Sequence, residues 1–404
     1  MQHRAAMRQT LHSLGLAGIA AIVAATCGCA SRSSIALDRA VMAYDHSVVD
    51  LVSKLLLINI ARAYRDEPMH FTTVSSIAAT YSVQFSAGIG PAVTGDMGYL
   101  PMPFIGTSSG ENPTLSLTPM QGEEFTQRLL TPFEERKLTM LLRQGYDVDA
   151  LLRLTGAQIL LGHGAQQQVC SNSPADRNGY VAFRRMVAHL SSVQDRHALR
   201  AEPLQFTLER RVLSSDATPD DLKSFQDDPA SVRYDEQSKA YFVATHVVGR
   251  VIITNYEYST LPLAELTALY NEANQLPTND VLIDIRAAQP GGEFPIHGVL
   301  RLRSFLNVLT FLGRGIAEEP EFHVAPDPRT PRIEENPVHA LEIAVTRSTP
   351  KGASVSVDLA GRSFALKPER GYQWNKKAFS MLCQLFQMSV APTTPPPPLI
   401  TISK

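Results

Sequence analysis

A regular two-residue alternation, IAATYSVQFSAGIG at residues 77–90, constrains the fold more than any other segment of the chain. Every odd position is apolar or aromatic, and every even position is small or polar. This period is typical of a β-strand with two chemically different faces. Strands are usually about 5–6 residues long. A strand of this length therefore indicates either a long soluble sheet or a hairpin associated with a membrane.

The segment that follows predicts a wide loop and a short return strand. Residues 91–113 are rich in Gly and Pro, and TLSLTP at 114–119 restores the alternation. We expect a hairpin over residues 71–119 that is covered by protein or by lipid on the face carrying Ile77, Tyr81, Val83 and Phe85. Strands of outer-membrane proteins need about 9–11 residues that alternate between apolar and polar, and the first strand meets this requirement.

The first residues match a bacterial export signal. His3, Arg4 and Arg8 precede the apolar run LGLAGIAAIVAAT, which has the length of a signal-peptide core. The run is shorter than the roughly 20 apolar residues that a membrane-spanning helix needs. Residues 1–28 are therefore predicted to be a signal peptide and to lie outside the mature fold.

The end of the signal resembles a bacterial lipoprotein cleavage site. In TCGCAS, Gly28 is the small residue before Cys29, while Thr26 stands where such signals usually carry Leu. The resemblance implies that Cys29 is lipidated, for example with palmitate, and becomes the first mature residue. Because Ala30 and not Asp follows, it also implies sorting to the periplasmic face of the outer membrane. The alternative is an ordinary secretory peptide cut near Ala30.

Length and patterning predict an α+β fold in two regions. Residues 29–200 should hold a long helix (37–66), the hairpin and a helical middle that includes 122–160. Residues 201–391 should form an α+β domain with a mixed or antiparallel sheet, a β-β-α pattern at 232–275 and again at 340–388, and a helix at 298–313. Residues 392–404 are predicted to be a Pro-rich spacer that ends in a short LITI strand.

The remaining cysteines leave two alternatives open. Cys170 lies in QQQVCSNSPADRN, which predicts a loop, and Cys383 lies on the apolar face of a predicted helix. An oxidising compartment permits a bridge between them. A loop thiol and a core thiol need not meet, however, and Cys383 then acts as a small buried hydrophobe.

No motif in the chain carries a coherent chemistry. GTSSG at 106–110 matches G-x-S-x-G, but Ser108 lacks the strand before it and the helix after it that a nucleophile elbow needs. His163, His189 and His197 do not have the spacing of metal ligands. We therefore predict no catalytic residue, no metal, no cofactor and no enzyme activity. The net charge of −2 and the lack of a Lys/Arg-rich run argue against nucleic-acid binding.

Two polar residues interrupt the apolar face of the long helix. Asn59 and Arg62 lie in LLINIARAY, a segment that is apolar on nearly all sides. Buried polar groups need hydrogen-bond partners. We expect these two residues to form a buried polar network, and the alternative is that they contact a ligand.

Three segments together resemble a known group of proteins. They are LLINIARAYRDEPMHFTTVSSI at 56–77, NPTLSLTPMQGEEFTQRLLTP at 112–132 and the final PTTPPPPLITI. They are similar to a group of predicted proteobacterial outer-membrane lipoproteins to which no activity is assigned. The resemblance implies an envelope location and no site residue.

These observations favour a non-enzymatic scaffold or adaptor that is tethered to the outer membrane by its N-terminal lipid and binds other envelope proteins. The alternative is an oligomeric outer-membrane pore or export component in which each copy of a homo-oligomer contributes the 71–119 hairpin. A third hypothesis, a hydrolase of envelope polymers, has the least support.

Overall fold

A computed structural model describes residues 41–42, 44–93, 99–162, 167–221, 223 and 231–390, with only the backbone described at 73–93, 99–118 and 390. The chain separates into two compact units. Among the described residues, the first unit holds 41–55 and 71–120, and the second holds 56–70 and 121–390. The predicted signal, with Cys29, and the predicted tail at 392–404 lie outside the described residues.

The first unit contains a long two-stranded antiparallel ribbon. Strand β1 (Phe71–Val93, 23 residues) pairs with β2 (Tyr99–Met120, 22 residues) from Phe71 opposite Met120 to Val93 opposite Tyr99. One irregularity interrupts the register between Val74 and Ser76. At about 3.3 Å per residue the ribbon is roughly 70 Å long. We call these two strands the ribbon.

The predicted wide loop at 91–113 is wrong, because most of it belongs to β2. Gly and Pro suggested a loop, but a proline is compatible with a strand whose outer edge has no partner. The return strand is therefore much longer than the predicted 114–118. Ser108, in the chance G-x-S-x-G match, lies inside β2 opposite Gln84 and not at a strand-to-helix turn.

The predicted long helix is confirmed over the residues that the structure describes. Residues 44–64 form helix α1, which is followed by a turn at Arg65 and Asp66. Asp66 has a positive φ of 54°. The helix thus ends just before Pro68, which cannot continue it. In the second unit, Leu56, Leu57 and Ile60 of this helix are fully buried.

The second unit is built on a seven-stranded sheet. The strands are β3 (Gly156–Leu161), β4 (Gln168–Ser171), β5 (Arg200–Leu213), β6 (Val232–Asp235), β7 (Ala240–Thr254), β8 (Asp280–Ile285) and β9 (Ile296–Leu302). Their order is β4-β3-β9-β8-β7-β5, and β6 pairs with the first residues of β7. All neighbours are antiparallel except β7 and β8, which are parallel and are joined through a helix.

A second, three-stranded antiparallel sheet has the order β10-β12-β11, from β10 (Ile343–Thr346), β11 (Ser356–Leu359) and β12 (Arg362–Leu366). The helices that follow α1 include α2 (Glu123–Leu130), α3 (Glu135–Arg143), α4 (Val148–Thr155), α5 (Arg177–Asp195), α6 (Leu263–Gln275), α7 (Phe305–Arg314) and α8 (Trp374–Val390). The α+β class is therefore confirmed, with mixed and antiparallel sheets.

Three local predictions in this unit are wrong. Residues 156–160 and 298–302 were expected in helices but lie in strands β3 and β9, which pair with each other. Short apolar runs suit a buried strand as well as a helix, and pairing within the sheet decides between them. Cys170 was expected in a loop, but it lies in β4 opposite Ile159 and is fully buried.

The two predicted β-β-α patterns contribute to different sheets. The strands of the first pattern belong to the seven-stranded sheet, and those of the second form the three-stranded sheet. Within the first pattern, residues 232–246 and 248–258 were expected to be two paired strands, but 240–254 form the continuous strand β7, whose long partner is β5. The seven-stranded sheet also takes strands from both sides of residue 200, where we expected a domain boundary.

One face of α6 closes part of the core. Leu266, Leu269 and Ala273 pack against Leu204 and Ile252 of the sheet in one buried cluster. Burying a Leu or Ile side chain contributes about 1.5–3 kcal/mol. The cluster therefore fixes α6 over β5 and β7 and places the polar residues of the helix at its margin.

Candidate functional site

The ribbon is almost free of charge. Among the residues of β1 and β2, Glu111 is the only Asp, Glu, Lys or Arg. In contrast, 19% of the whole chain is charged. The register places Glu111 opposite Tyr81. A two-stranded ribbon of this composition is marginally stable in water by itself. We therefore treat the ribbon as the candidate functional element.

The register extends the alternation from one strand to both. Between Ile77 and Val93, each residue lies opposite one of the same parity, for example Val83 opposite Ser109 and Phe85 opposite Thr107. Directly opposed residues belong to the same face of an antiparallel pair. The odd face thus joins the predicted Ile77, Tyr81, Val83 and Phe85. The side chains of these four residues lie outside the described part, so their burial stays a prediction.

The prolines of the ribbon share this parity. Every proline of the two strands is at an odd position: Pro91, Pro101, Pro103, Pro113 and Pro119. Proline has no N–H to donate. In an antiparallel pair, the backbone N–H and C=O groups of successive residues point alternately towards the partner strand and away from it. The continuous pairing of residues 77–93 with 99–115 is compatible with these prolines only if the backbone N–H groups of odd residues point away from the partner strand.

This parity gives the ribbon two unequal edges. The outer edge of β2 lacks donors at four positions, whereas that of β1 lacks one, at Pro91. Among the described residues, no third strand pairs with either strand over 77–93 or 99–115. Proline is one of the devices that protect an edge from strand addition. By this criterion β2 is protected and β1 is open.

The structure brings Asn59 and Arg62 together. The Asn59 side chain is fully buried, donates to the His70 carbonyl at 2.8 Å and accepts from the His70 N–H at 2.9 Å. Arg62 Nη1 lies 3.3 Å from Asn59 Oδ1 and 3.4 Å from the His70 carbonyl. The polar groups of Asn59 thus hold the chain at His70 against α1, which is a structural role.

A second polar cluster, which the sequence did not reveal, surrounds Asp284. Its carboxylate accepts hydrogen bonds from Tyr256 Oη at 2.5 Å, Arg286 Nε at 2.7 Å and His297 Nδ1 at 3.0 Å. Burial opposes its ionisation, but these hydrogen bonds outweigh burial and lower the pKa of Asp284 to about 2. Glu272 on α6 lies 3.1 Å from the other ring nitrogen of His297.

The Asp284 cluster has no sequence signature because cross-strand register creates it. Asp284 lies directly opposite His297 on β9, thirteen positions along the chain. The hydrogen bond to Asp284 and the charge of Glu272 raise the pKa of His297, against the effect of burial. A protonated imidazole donates to both carboxylates, so the arrangement joins α6 to the sheet.

A buried ion network lies at the end of α4. Arg153 is fully buried and donates to Glu321 Oε1 at 2.7 Å and to the Val338 carbonyl at 2.5 Å. Glu321 also accepts from Tyr180 Oη and from the Ala340 N–H. Burial opposes ionisation of Glu321, but Arg153 outweighs it and the pKa of the carboxyl is lowered. These hydrogen bonds and the ion pair hold the segment around 321–340 against α4 and α5.

Two cavities share His339 and Glu342 in their linings, with volumes of about 170 and 320 Å³. Their charged groups are already engaged by protein. Lys367 donates to Glu342 at 2.6 Å, and Glu369 accepts from the Asn375 N–H at 2.7 Å. We find in this arrangement no reason to assign a ligand.

The histidines and cysteines considered in the sequence analysis give no further site among the described residues. His163 lies outside the described residues, His189 is fully buried and bonded to the Gly291 carbonyl at 2.9 Å, and His197 follows α5. Cys170 and Cys383 are not joined by a disulfide. Among the described residues, no group of three or more His, Cys, Asp or Glu is arranged to hold a metal ion. None of the helices in this described part of the chain combines the length and the apolar composition that a membrane-spanning segment requires.

Comparison with family models, with curated proteins and with solved structures gives no match to this chain.

Proposed function

We propose that this protein is a non-enzymatic scaffold or adaptor of the cell envelope, anchored in the outer membrane by a lipid on Cys29 and docked to envelope partners through the ribbon. The observation that carries the proposal is the contrast between the length of the ribbon and its single charged residue, Glu111. A long edge without charges is a template for pairing with another strand. Strand addition gives affinity through backbone hydrogen bonds.

The anchor is tested by metabolic labelling with palmitate. Wild-type protein and the Cys27→Ala control should carry the label, and Cys29→Ala should lose it. The same variant should leave the outer-membrane fraction. Labelling that persists in Cys29→Ala contradicts the lipoprotein assignment.

Docking is tested by photo-crosslinking in intact cells. A photoreactive amino acid at Ser82, Gln84 or Ser86 of β1 should give crosslinked products. The same group at the exposed Lys351 of the second unit should not. If the ribbon positions give no more product than Lys351, the ribbon is not the docking element.

A second candidate, an oligomeric outer-membrane pore or export component, is favoured by the unbroken register. Residues 77–90 pair with 102–115, which exceeds the roughly 9–11 residues that a tilted strand needs to span a bilayer. Lipid does not tolerate an open sheet edge, so copies would have to pair β1 with β2 around a ring. The missing donors of β2 weaken such a ring, and for this reason we place the pore second.

The pore is tested by conductance in planar bilayers. The matched variant replaces residues 84–108 with an Asn-Gly turn, which leaves Val83 and Ser109 as the last pair. Channel events from the full-length protein that disappear in this variant would support the pore. Equal conductance from both proteins would exclude a pore built from the distal ribbon.

A further inference from the structure

We infer that the partner of the ribbon is a second copy of this chain, joined through the outer edges of the two β1 strands in a two-fold symmetric four-stranded sheet, β2-β1-β1-β2. The inference rests on the proposed role of the ribbon as the docking element and names its partner.

The positions of the prolines indicate that the outer edge of β1 is the edge that pairs with the second copy. The backbone N–H and C=O groups of odd residues point away from the partner strand. From Ile77 to Ile89, every odd residue of β1 has an N–H to donate, because none is a proline. The corresponding edge of β2 lacks the donors of Pro103 and Pro113 opposite the same stretch. A strand added to β1 therefore gains an unbroken ladder, whereas a strand added to β2 does not. In the four-stranded sheet, the proline-bearing edges are on the outside, where edge protection is needed.

A two-fold axis between the β1 strands places the odd faces of both copies on the same side of the sheet. Hydrogen-bonded and non-hydrogen-bonded pairs alternate along an antiparallel ladder. In the ladder between the two β1 strands, the outward-pointing N–H and C=O groups of odd residues must meet those of odd residues in the second copy. A two-fold axis that satisfies this condition places odd residues opposite odd residues and even residues opposite even residues. The apolar odd positions, such as Val83 and Phe85, then continue across both copies on one face. A symmetric interface of this kind is self-complementary.

The uncharged composition of β1 is compatible with pairing between two copies of this strand. β1 contains no Asp, Glu, Lys or Arg, so two copies bring no like charges together. Among the segments of this chain, the LITI tail is far shorter than the open edge. The long strand β5, at the end of the order of the seven-stranded sheet, carries Glu209, Arg210 and Arg211. β1 itself supplies the length and the uncharged alternation that its edge requires.

Disulfide trapping gives a sharp test. Single cysteines are introduced along β1, for example Ala79→Cys, Val83→Cys and Ala87→Cys, in the full-length lipidated protein with Cys170→Ala and Cys383→Ala. In an antiparallel two-fold pair, only the residue near the axis faces itself. Disulfide-linked dimer should therefore peak at one position of β1 and fall within about two residues on either side, since a disulfide needs Cα atoms about 4.4–6.8 Å apart.

A matched scan of β2, at Ile105, Thr107 and Ser109, should give no disulfide-linked dimer. A ring of hairpins would instead give a disulfide-linked dimer only when single-cysteine variants of β1 and β2 are mixed, and it would give a ladder of higher oligomers from a variant with one cysteine in each strand. This outcome would overturn the inference and favour the pore. No crosslink in either scan, with photo-crosslinks from β1 to other proteins, would overturn the inference and leave the adaptor function intact.

Proline substitution provides a second test. Ala79→Pro with Ala87→Pro removes two outward donors of β1 and should weaken dimerisation at least ten-fold in analytical ultracentrifugation in detergent, while the β signal in circular dichroism is retained. The control, Ala79→Thr with Ala87→Thr, keeps both donors and should dimerise like wild type. Equal dimerisation of the proline and threonine variants would contradict pairing at the β1 edge. The same measurement on a chain ending at Val390 should leave the dimer intact, and its loss would assign the edge to the tail.

Discussion

His297 Nδ1 lies 3.0 Å from Asp284 Oδ1, directly across the β8–β9 ladder. The pair connects two strands, and Glu272 extends it to α6 at 3.1 Å. Because the pKa of His297 is raised, the protonated imidazole stabilises the fold. This contribution is present at pH below the unfolded value of about 6.5 and is lost as the pH rises through the folded pKa.

His297→Gln should therefore destabilise the protein more at pH 5.5 than at pH 8.5. The side chain is 44% exposed, so solvent screening keeps the difference below about 1 kcal/mol. Urea unfolding at the two pH values measures it, with the exposed His323→Gln as control. An equal loss at both pH values would show that the charge of His297 does not contribute.

Asp284→Asn should lower the free energy of unfolding more at pH 7 than at pH 3. The carboxylate accepts from three side chains and is largely buried, and losing such a charge costs about 2–4 kcal/mol. Its lowered pKa means that this stabilisation is present above about pH 4 and is lost as the pH falls towards 2. The difference in unfolding free energy should shrink between pH 7 and pH 3. The exposed Asp358→Asn should show no such trend.

A double-mutant cycle on Arg153 and Glu321 should show strong coupling. Removing one partner leaves a buried charge, so Arg153→Met and Glu321→Gln should each cost about 3–5 kcal/mol. The double variant should cost less than the sum by about 1–3 kcal/mol. Chemical denaturation of the four proteins gives the coupling, and strict additivity would mean that the contact contributes nothing.

Asn59→Ala should destabilise the second unit by about 1–3 kcal/mol, because it leaves both backbone groups of His70 without their amide partner. Arg62→Ala should cost less, since its contacts with Asn59 and His70 are long, at 3.3 and 3.4 Å. Thermal unfolding ranks the two variants. A larger effect of Arg62→Ala would reverse the roles assigned to this pair.

Gly291→Ala should be worse than Gly352→Ala, although both glycines have similar positive φ angles of 85° and 82°. A Cβ at Gly291 would lie 2.8 Å from Val193 Cγ2, whereas one at Gly352 would meet nothing within 4 Å. The control measures the cost of the left-handed backbone, about 1–2 kcal/mol. Crowding should add about 1–3 kcal/mol at Gly291. Similar melting temperatures would indicate that α5 and the loop move apart at no cost.

Pattern and composition could predict the elements that carry a local signal. The alternation at 77–90 indicated a long strand, and apolar residues at helical spacing indicated α1 and α8. The parity of the ribbon prolines is also written in the sequence. Its meaning depends on the register, however, because only the pairing of Ile89 with Pro103 and Pro91 with Pro101 shows that these residues share one face and one edge.

Contacts between distant segments decided the rest. The short apolar runs at 156–161 and 298–302 suit a helix or a strand, and they became strands because each supplies the backbone partners of the other. Cys170 became buried because β4 pairs with β3. Asp284 and His297 meet through a register that no spacing encodes, and Arg153 meets Glu321 across 168 positions. Local periodicity thus determined the existence of the strands and helices, while the need to pair buried backbone and charged groups determined where they lie.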